Sequence, residues 1–156
     1  MLDQLLAIFA RDDLHLKKQA GVFLVRLGAQ QARLLRVGCL DEFEDRDTVL
    51  LGGSTDTAYS HLGWVKSHED LGDLKYPLFA DVSKQMAADY GILHPQDAVA
   101  LRGTFIIDPE GDLRWVNVND LNVGRSVQET LRVLDALQTD ELCACGREVG
   151  GATLEL

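Results

Sequence analysis

The chain has 156 residues, 46% of them hydrophobic, with a net charge of −10 and a pI near 4.7. That length suits one domain with a real core and is short for two, while so negative a field disfavours phosphate backbones and anionic lipid surfaces, so no nucleic acid and no membrane is expected as partner. The opening MLDQLLAIFARDD lacks the basic start and longer apolar core of a secretory signal, and no stretch approaches the ~20 apolar residues of a membrane span, so the expected location is cytoplasmic.

The first feature along the chain is one of charge. Between Leu14 and Leu40 there is no Asp or Glu, although the chain holds 25 acids, and Lys17, Lys18, Arg26, Arg33 and Arg36 fall in the same span. Within it GVFLVRL has strand character. The composition changes abruptly at DEFEDRD, which divides the chain into a divergent segment, 1–40, and a domain, 41–156.

From residue 48 onward the punctuation is regular. TVLLGG is a short apolar run closed by two glycines, the pattern of a strand buried on both faces. In the following STDTAYSHLGWVKSHED, Ala58, Leu62 and Val65 repeat at four and three, which predicts a helix with that face inward and Trp64 close by. His61, His68 and His94 are read as surface or helix-face residues. YPLFAD predicts a second strand, and SKQMAADYGIL a helix with Met86 and Tyr90 one turn apart and Gly91 at its end. Around DPEGD two β-rich runs predict a hairpin. In SVQETLRVLDALQTDE, Ser126 and Glu129 suit a capping box and Val127, Leu131, Leu134 and Leu137 one apolar face. Strand, helix, strand, helix, hairpin, helix is an α/β layer sandwich.

After that helix, DELCACG places Cys143 and Cys145 one residue apart, in a chain whose third cysteine is Cys39. An odd count speaks against a disulfide framework and for reactive, metal-binding or buried thiols. Two thiols without a second pair or a nearby His supply too few ligands for zinc. A direct Cys143–Cys145 disulfide is disfavoured, because residues i and i+2 reach the required Cα separation only over a narrow range of backbone conformations.

The blocks DEFEDRDTVLLGGSTDTAYSHLGWVKSHEDLGDLKYPLFAD, GTFIIDPEGDLRWV and VGRSVQETLRVLDALQTDELCAC, in that order, resemble the peroxiredoxins, in particular the alkyl hydroperoxide reductase C-subunit type of actinobacteria. The resemblance spans about residues 41 to 147. It implies a thioredoxin-like fold and reduction of hydrogen peroxide and organic hydroperoxides by thiols cycling through sulfenic acid and disulfide, without metal or organic cofactor. It further implies a thioredoxin-like or other dithiol reductant, and a homodimer or higher ring. Cys143 matches the resolving cysteine and Cys145 the additional thiol of this subgroup, both on a flexible tail. Arg102 in LRGTFIID matches the arginine that holds the peroxidatic sulfur as thiolate and polarises the peroxide; a guanidinium does not deprotonate, and a neighbouring cation lowers a thiol's pKa. Trp64 matches a tryptophan next to the catalytic region, and Gly124 and Arg125 a loop and helix start.

The chain departs from the family at one place. The peroxidatic motif, Pro-x-x-x-Thr/Ser-x-x-Cys, belongs about fourteen residues before Phe43, near Ala29, where VRLGAQQARLLRVG contains no Cys, Pro or Thr. Pro77, Pro95 and Pro109 are all downstream. Cys39 is the remaining peroxidatic candidate, a weak one, because it falls about ten residues late, roughly 15 Å along a helix, at the end where the dipole opposes a thiolate. The fold is therefore expected to be incomplete at its first strands, with GVFLVRL able to take the sheet position before the family's catalytic loop. Three functions are open: a thiol-dependent peroxidase acting on hydroperoxide, a non-enzymatic partner subunit that pairs with a full-length peroxiredoxin, or a slow thiol oxidoreductase working through Cys143 and Cys145.

Overall fold

The computed structural model describes residues 20–25, 40–67 and 74–155. The elements are β1 (Ala20–Val25), α1 (Leu40–Glu44), β2 (Thr48–Ser54), α2 (Ala58–Ser67), β3 (Leu78–Ala80), α3 (Gln85–Asp89), β4 (Arg102–Ile107), β5 (Leu113–Asn119) and α4 (Val127–Gln138). Five strands form one sheet in the order β3-β2-β1-β4-β5. β1 runs parallel to β2, with Ala20 beside Thr48 and Val25 beside Gly53, and antiparallel to β4, with Gly21 opposite Ile107 and Leu24 opposite Thr104. The strand AGVFLV, expected from GVFLVRL, is thus the middle strand.

β2 and β4 are buried almost throughout, which is why both read as unbroken apolar runs. Successive residues alternate between the two faces. On one face Leu50 and Ile106 pack with Leu40, Phe43, Tyr76, Leu131 and Leu134, and on the other Leu51, Phe105 and Ile107 pack with Ala87, Ile92 and Ala100. The face built by α4 is the apolar stripe its spacing predicts: Leu131 and Leu134 are buried, and Val127 and Leu137 pack against the same cluster. Half of the capping box forms. Ser126 Oγ accepts the Glu129 N–H at 3.1 Å, but the Glu129 carboxylate turns away to receive Arg132 Nε and Nη2, each at 2.7 Å. The hairpin stands as expected, with a register irregularity between Ile106 and Ile107. Gly91, expected at the end of α3, has a left-handed φ of 68°.

α2 sits differently from its apolar spacing. Ala58 and Leu62 are exposed, Val65 is only half-buried, and the residue turned inward is His61. The expectation of a surface histidine is thereby corrected. A buried acceptor outcompetes the apolar stripe: His61 Nε2 lies 2.7 Å from Ser54 Oγ, and that hydroxyl donates to Asp56 Oδ2 at 2.9 Å. Because the single serine proton goes to the carboxylate, the imidazole N–H is on Nε2 and donates to Ser54. Its Nδ1 is buried without a hydrogen-bond partner among the described residues, and the ring packs on Trp64 at a centroid distance of 5.3 Å. His94 is partly exposed and contacts Asp97 through Nδ1 at 3.3 Å, while His68 lies outside the described residues.

Two consequences are measurable. A Cβ on Gly53 would come within 2.0 to 2.5 Å of the Phe79 ring, so Gly53→Ala forces the ring off the β2 backbone and is expected to lower unfolding stability by about 1–3 kcal/mol in urea titrations. Burial lowers the His61 pKa, with Asp56 opposing. The folded chain therefore takes up this proton less readily than the unfolded one, so the stability from neutral His61 is complete above about pH 6.5 and is lost as pH falls from there through its lower folded value. Urea midpoints at pH 7.5 and 5 should differ more for the unaltered protein than for His61→Asn; equal differences would show that His61 does not set this slope.

Candidate active site

The pairing of the parallel strands β1 and β2 ends at Val25 and Gly53, one residue before β2 itself ends, and β4, running the other way, begins at that end of the sheet with Arg102. Carboxyl ends of parallel strands are where open α/β sheets place their ligands. Arg102 is half-buried and its Nε donates to Leu121 O at 2.8 Å. The accepting loop is closed by Asn119 Nδ2 to Gly124 O at 2.6 Å and by Val123 N to Asp120 O at 3.0 Å. It delivers Arg125, whose Nη1 donates to Gly103 O at 3.2 Å.

Arg125 is thereby brought into the electrostatic field of Arg102. Burial first and the Arg102 charge second pull its pKa down to about 10, with Tyr76 opposing the shift. Burial likewise pushes Tyr76 up to about 12, against Arg125, and its hydroxyl is buried with no hydrogen-bond partner among the described residues. Two cations held in one partly desolvated place raise the local affinity for an anion and stabilise a thiolate or a developing oxyanion there. From the sequence, Arg125 is expected at the loop and helix entry, with an interface contact as its other role, and the structure does place it directly before the Ser126 cap of α4. No periodicity marks it, because its place beside Arg102 follows from a loop closed by side-chain contacts. Ser54, His61 and Trp64 belong to the same end of the sheet, since Ser54 is the last residue of β2.

The dithiol is elsewhere. α4 starts immediately after Arg125 and Ser126 and runs twelve residues, so its far end is about 18 Å away. Cys143 is half-buried beyond that end, its Sγ 3.6 Å from Thr139 Oγ1 and Glu141 O and 4.0 Å from Ala136 O, whereas Cys145 is exposed. Both are free thiols. The segment carrying them was expected as a flexible tail, and it is docked: Arg147 Nη1 pairs with Asp135 Oδ2 at 2.6 Å and Leu154 N donates to Leu142 O at 2.8 Å. A lone arginine in a polar stretch gives no sequence signal of such a contact. Cys39 lies outside the described residues. Among the described residues no group of three or more His, Cys, Asp or Glu could hold a metal ion, and no helix is long and apolar enough to cross a membrane.

Residues 35–116 match the AhpC/TSA family. YkuU of Bacillus subtilis, named as a peroxiredoxin, is 50% identical over 117 residues, 73% of this chain and 65% of that protein. Alkyl hydroperoxide reductase C of Mycobacterium tuberculosis is 46% identical over 115 residues, 74% of this chain and 58% of that protein. The chain thus spans about three-fifths of the length of these relatives. Among solved structures, Mycobacterium tuberculosis AhpC superposes with a TM-score of 0.74 at 38% identity, covering 86% of this chain and 77% of that one. The reduced 2-Cys peroxiredoxin of Plasmodium vivax reaches 0.82 at 31% identity, covering 89% and 78%. With its thioredoxin-like α/β fold and these matches, the chain belongs to the AhpC/TSA family of alkyl hydroperoxide reductases and peroxiredoxins.

Proposed function

We propose that the chain serves thiol-dependent reduction of hydroperoxides, with Cys143 as the resolving thiol and the Arg102–Arg125 pair as the anion-stabilising element. The observation that supports this reading is the arginine pair at the sheet end where β1 leaves, since a thiolate attacking an O–O bond needs fixed positive charge there. A peroxidatic thiolate attacks the peroxide, an S–O bond forms, the O–O bond breaks, and the departing oxygen takes up a proton. Cys143 then displaces hydroxide from the sulfenic acid, giving a disulfide and water, and a thioredoxin-like or other dithiol reductant restores both thiols. No metal or organic cofactor enters.

Within one chain about 18 Å of helix separates the arginine pair from Cys143, so a peroxidatic sulfur seated at that pair is met by the Cys143 of another chain. Homodimer formation is supported by β5, the last strand of the sheet, on which Val116 and Val118 are exposed. Cys39, the one cysteine upstream of the C-terminal pair, is the candidate for the peroxidatic sulfur, a weak one because it falls about ten residues past the position the family motif would give it. A second reading follows from the missing Pro-Thr-Cys motif near Ala29: the chain acts as a partner subunit, supplying Cys143 to a full-length peroxiredoxin that carries the peroxidatic sulfur. The acidic chain without a membrane-spanning helix among its described residues suits a cytoplasmic place for either.

One equivalent of hydrogen peroxide added to the reduced protein, with thiol loss followed in seconds and the joined cysteines mapped, separates the two. Rapid loss with an intermolecular Cys39–Cys143 link, abolished by Cys143→Ser, is the peroxidase outcome; an unchanged crosslink in that variant removes Cys143 from the resolving role. Slow loss without a Cys39 link leaves the partner reading, in which a full-length relative must crosslink to Cys143. A Cys39 that reacts at the arginine pair should be oxidised about a hundredfold more slowly in Arg102→Gln; an unchanged rate separates Cys39 from that pair.

A further inference from the structure

The segment after α4 is fastened at several points, and the fastening sits beside the two thiols. Asp135 Oδ2 accepts Arg147 Nη1 at 2.6 Å and the Gly150 N–H at 3.1 Å. Arg147 Nε donates to Gly151 O at 2.9 Å, and Arg147 O receives Arg132 Nη1 at 3.3 Å, Arg132 itself being held by Glu129. Only 4% of the Arg147 side chain is exposed, in a stretch whose neighbours are nearly all solvent-facing. Gly146 and Gly150, with φ of 73° and 70°, make the left-handed turns that bring the arginine back onto α4. Thr153 Oγ1 also donates to the Glu141 carboxylate. The Arg147 bond holds the Asp135 carboxyl below the ordinary carboxylate range.

We propose that the Arg147–Asp135 pair is a latch on the C-terminal dithiol. Closed, it keeps Cys143 against the last turn of α4 while Cys145, two residues nearer Arg147, stays open to solvent; released, it frees Cys143. The pair suits a latch, because the buried Arg147 guanidinium is left without its charge partner when the half-buried Asp135 lets go, so the contact is made fully or given up. Ordinary fraying of a terminus would expose both thiols alike, whereas the docked segment shelters one and presents the other. The latch rests on the reading of Cys143 as the resolving thiol only for its consequence: Cys143 can meet a sulfenic acid on another chain no faster than the latch opens.

The test needs no peroxide. The reduced full chain is treated with iodoacetamide at pH 7.5 under native conditions, and alkylation of Cys143 and Cys145 is followed separately by peptide mass spectrometry. In the unaltered protein Cys145 should react about tenfold faster than Cys143. Asp135→Asn should bring the Cys143 rate close to that of Cys145 while leaving the latter unchanged. Arg147→Lys, which keeps the charge but loses the fork that reaches both Asp135 and Gly151, should act in the same direction if Asp135→Asn does not fold. Equal rates for the two thiols in the unaltered protein, or an unchanged Cys143 rate in the folded variants, would overturn the latch. A Cys39–Cys143 link after peroxide together with equal alkylation rates would keep the proposed function and remove the latch, and the reverse result would do the opposite.

Discussion

The position of β1 is the constraint on which everything else depends. β2 and β3 lie on one side of it, β4 and β5 on the other, and the sheet order shows no pairing between those two groups except through β1. Removing it would leave the inner edges of β2 and β4 with unpaired backbone donors and acceptors beneath two layers of side chains. The same strand fixes the functional end of the sheet. Because it is parallel to β2 and antiparallel to β4, its last residues sit beside Gly53 and near the first residues of β4, where Arg102 is anchored.

Helix α4 converts that topology into a separation. Its apolar face is consumed by the core through Leu131 and Leu134, and its start is pinned by Ser126 directly after Arg125. Its end is pinned too, by Gln138 Nε2 donating to Arg46 O at 2.6 Å in the turn between α1 and β2. A helix fixed at both ends cannot swing, so the arginine pair and the dithiol remain a helix length apart in one chain. Only the residues beyond Thr139 can change that distance, and these are the residues that Arg147 holds.

The elements whose identity rests on periodicity were legible. Runs of alternating or continuous apolar residues gave β2, β3 and the hairpin, the 3–4 spacing gave α4, and the serine before it gave the start. The site was legible in part. Arg102, Arg125 and the two thiols could be named from the family-like blocks around them, but the nearness of Arg125 to Arg102 could not, since it comes from contacts between Asn119 and Gly124 that no pattern announces. α2 misled for a physical reason: its apolar residues are too few to outweigh a hydrogen bond from a buried histidine to the end of β2, so the polar residue sets the rotation of the helix and Leu62 is left exposed. The docked C-terminal segment escaped for a related reason, because one buried guanidinium with several acceptors can order a dozen polar residues without any hydrophobic signature.

The charge break near residue 40 shows why fold and chemistry separate so readily here. A middle strand makes generic demands: six residues of β-prone, largely apolar type, without proline, which AGVFLV meets. A peroxidatic site makes specific ones, a thiol at a helix start with a proline and a hydroxyl placed around it, and the sequence near Ala29 meets none of them. Many different sequences can satisfy the first requirement and very few the second. Residues 14–40 can therefore diverge in character from the rest of the chain while the sheet keeps the fold of the family.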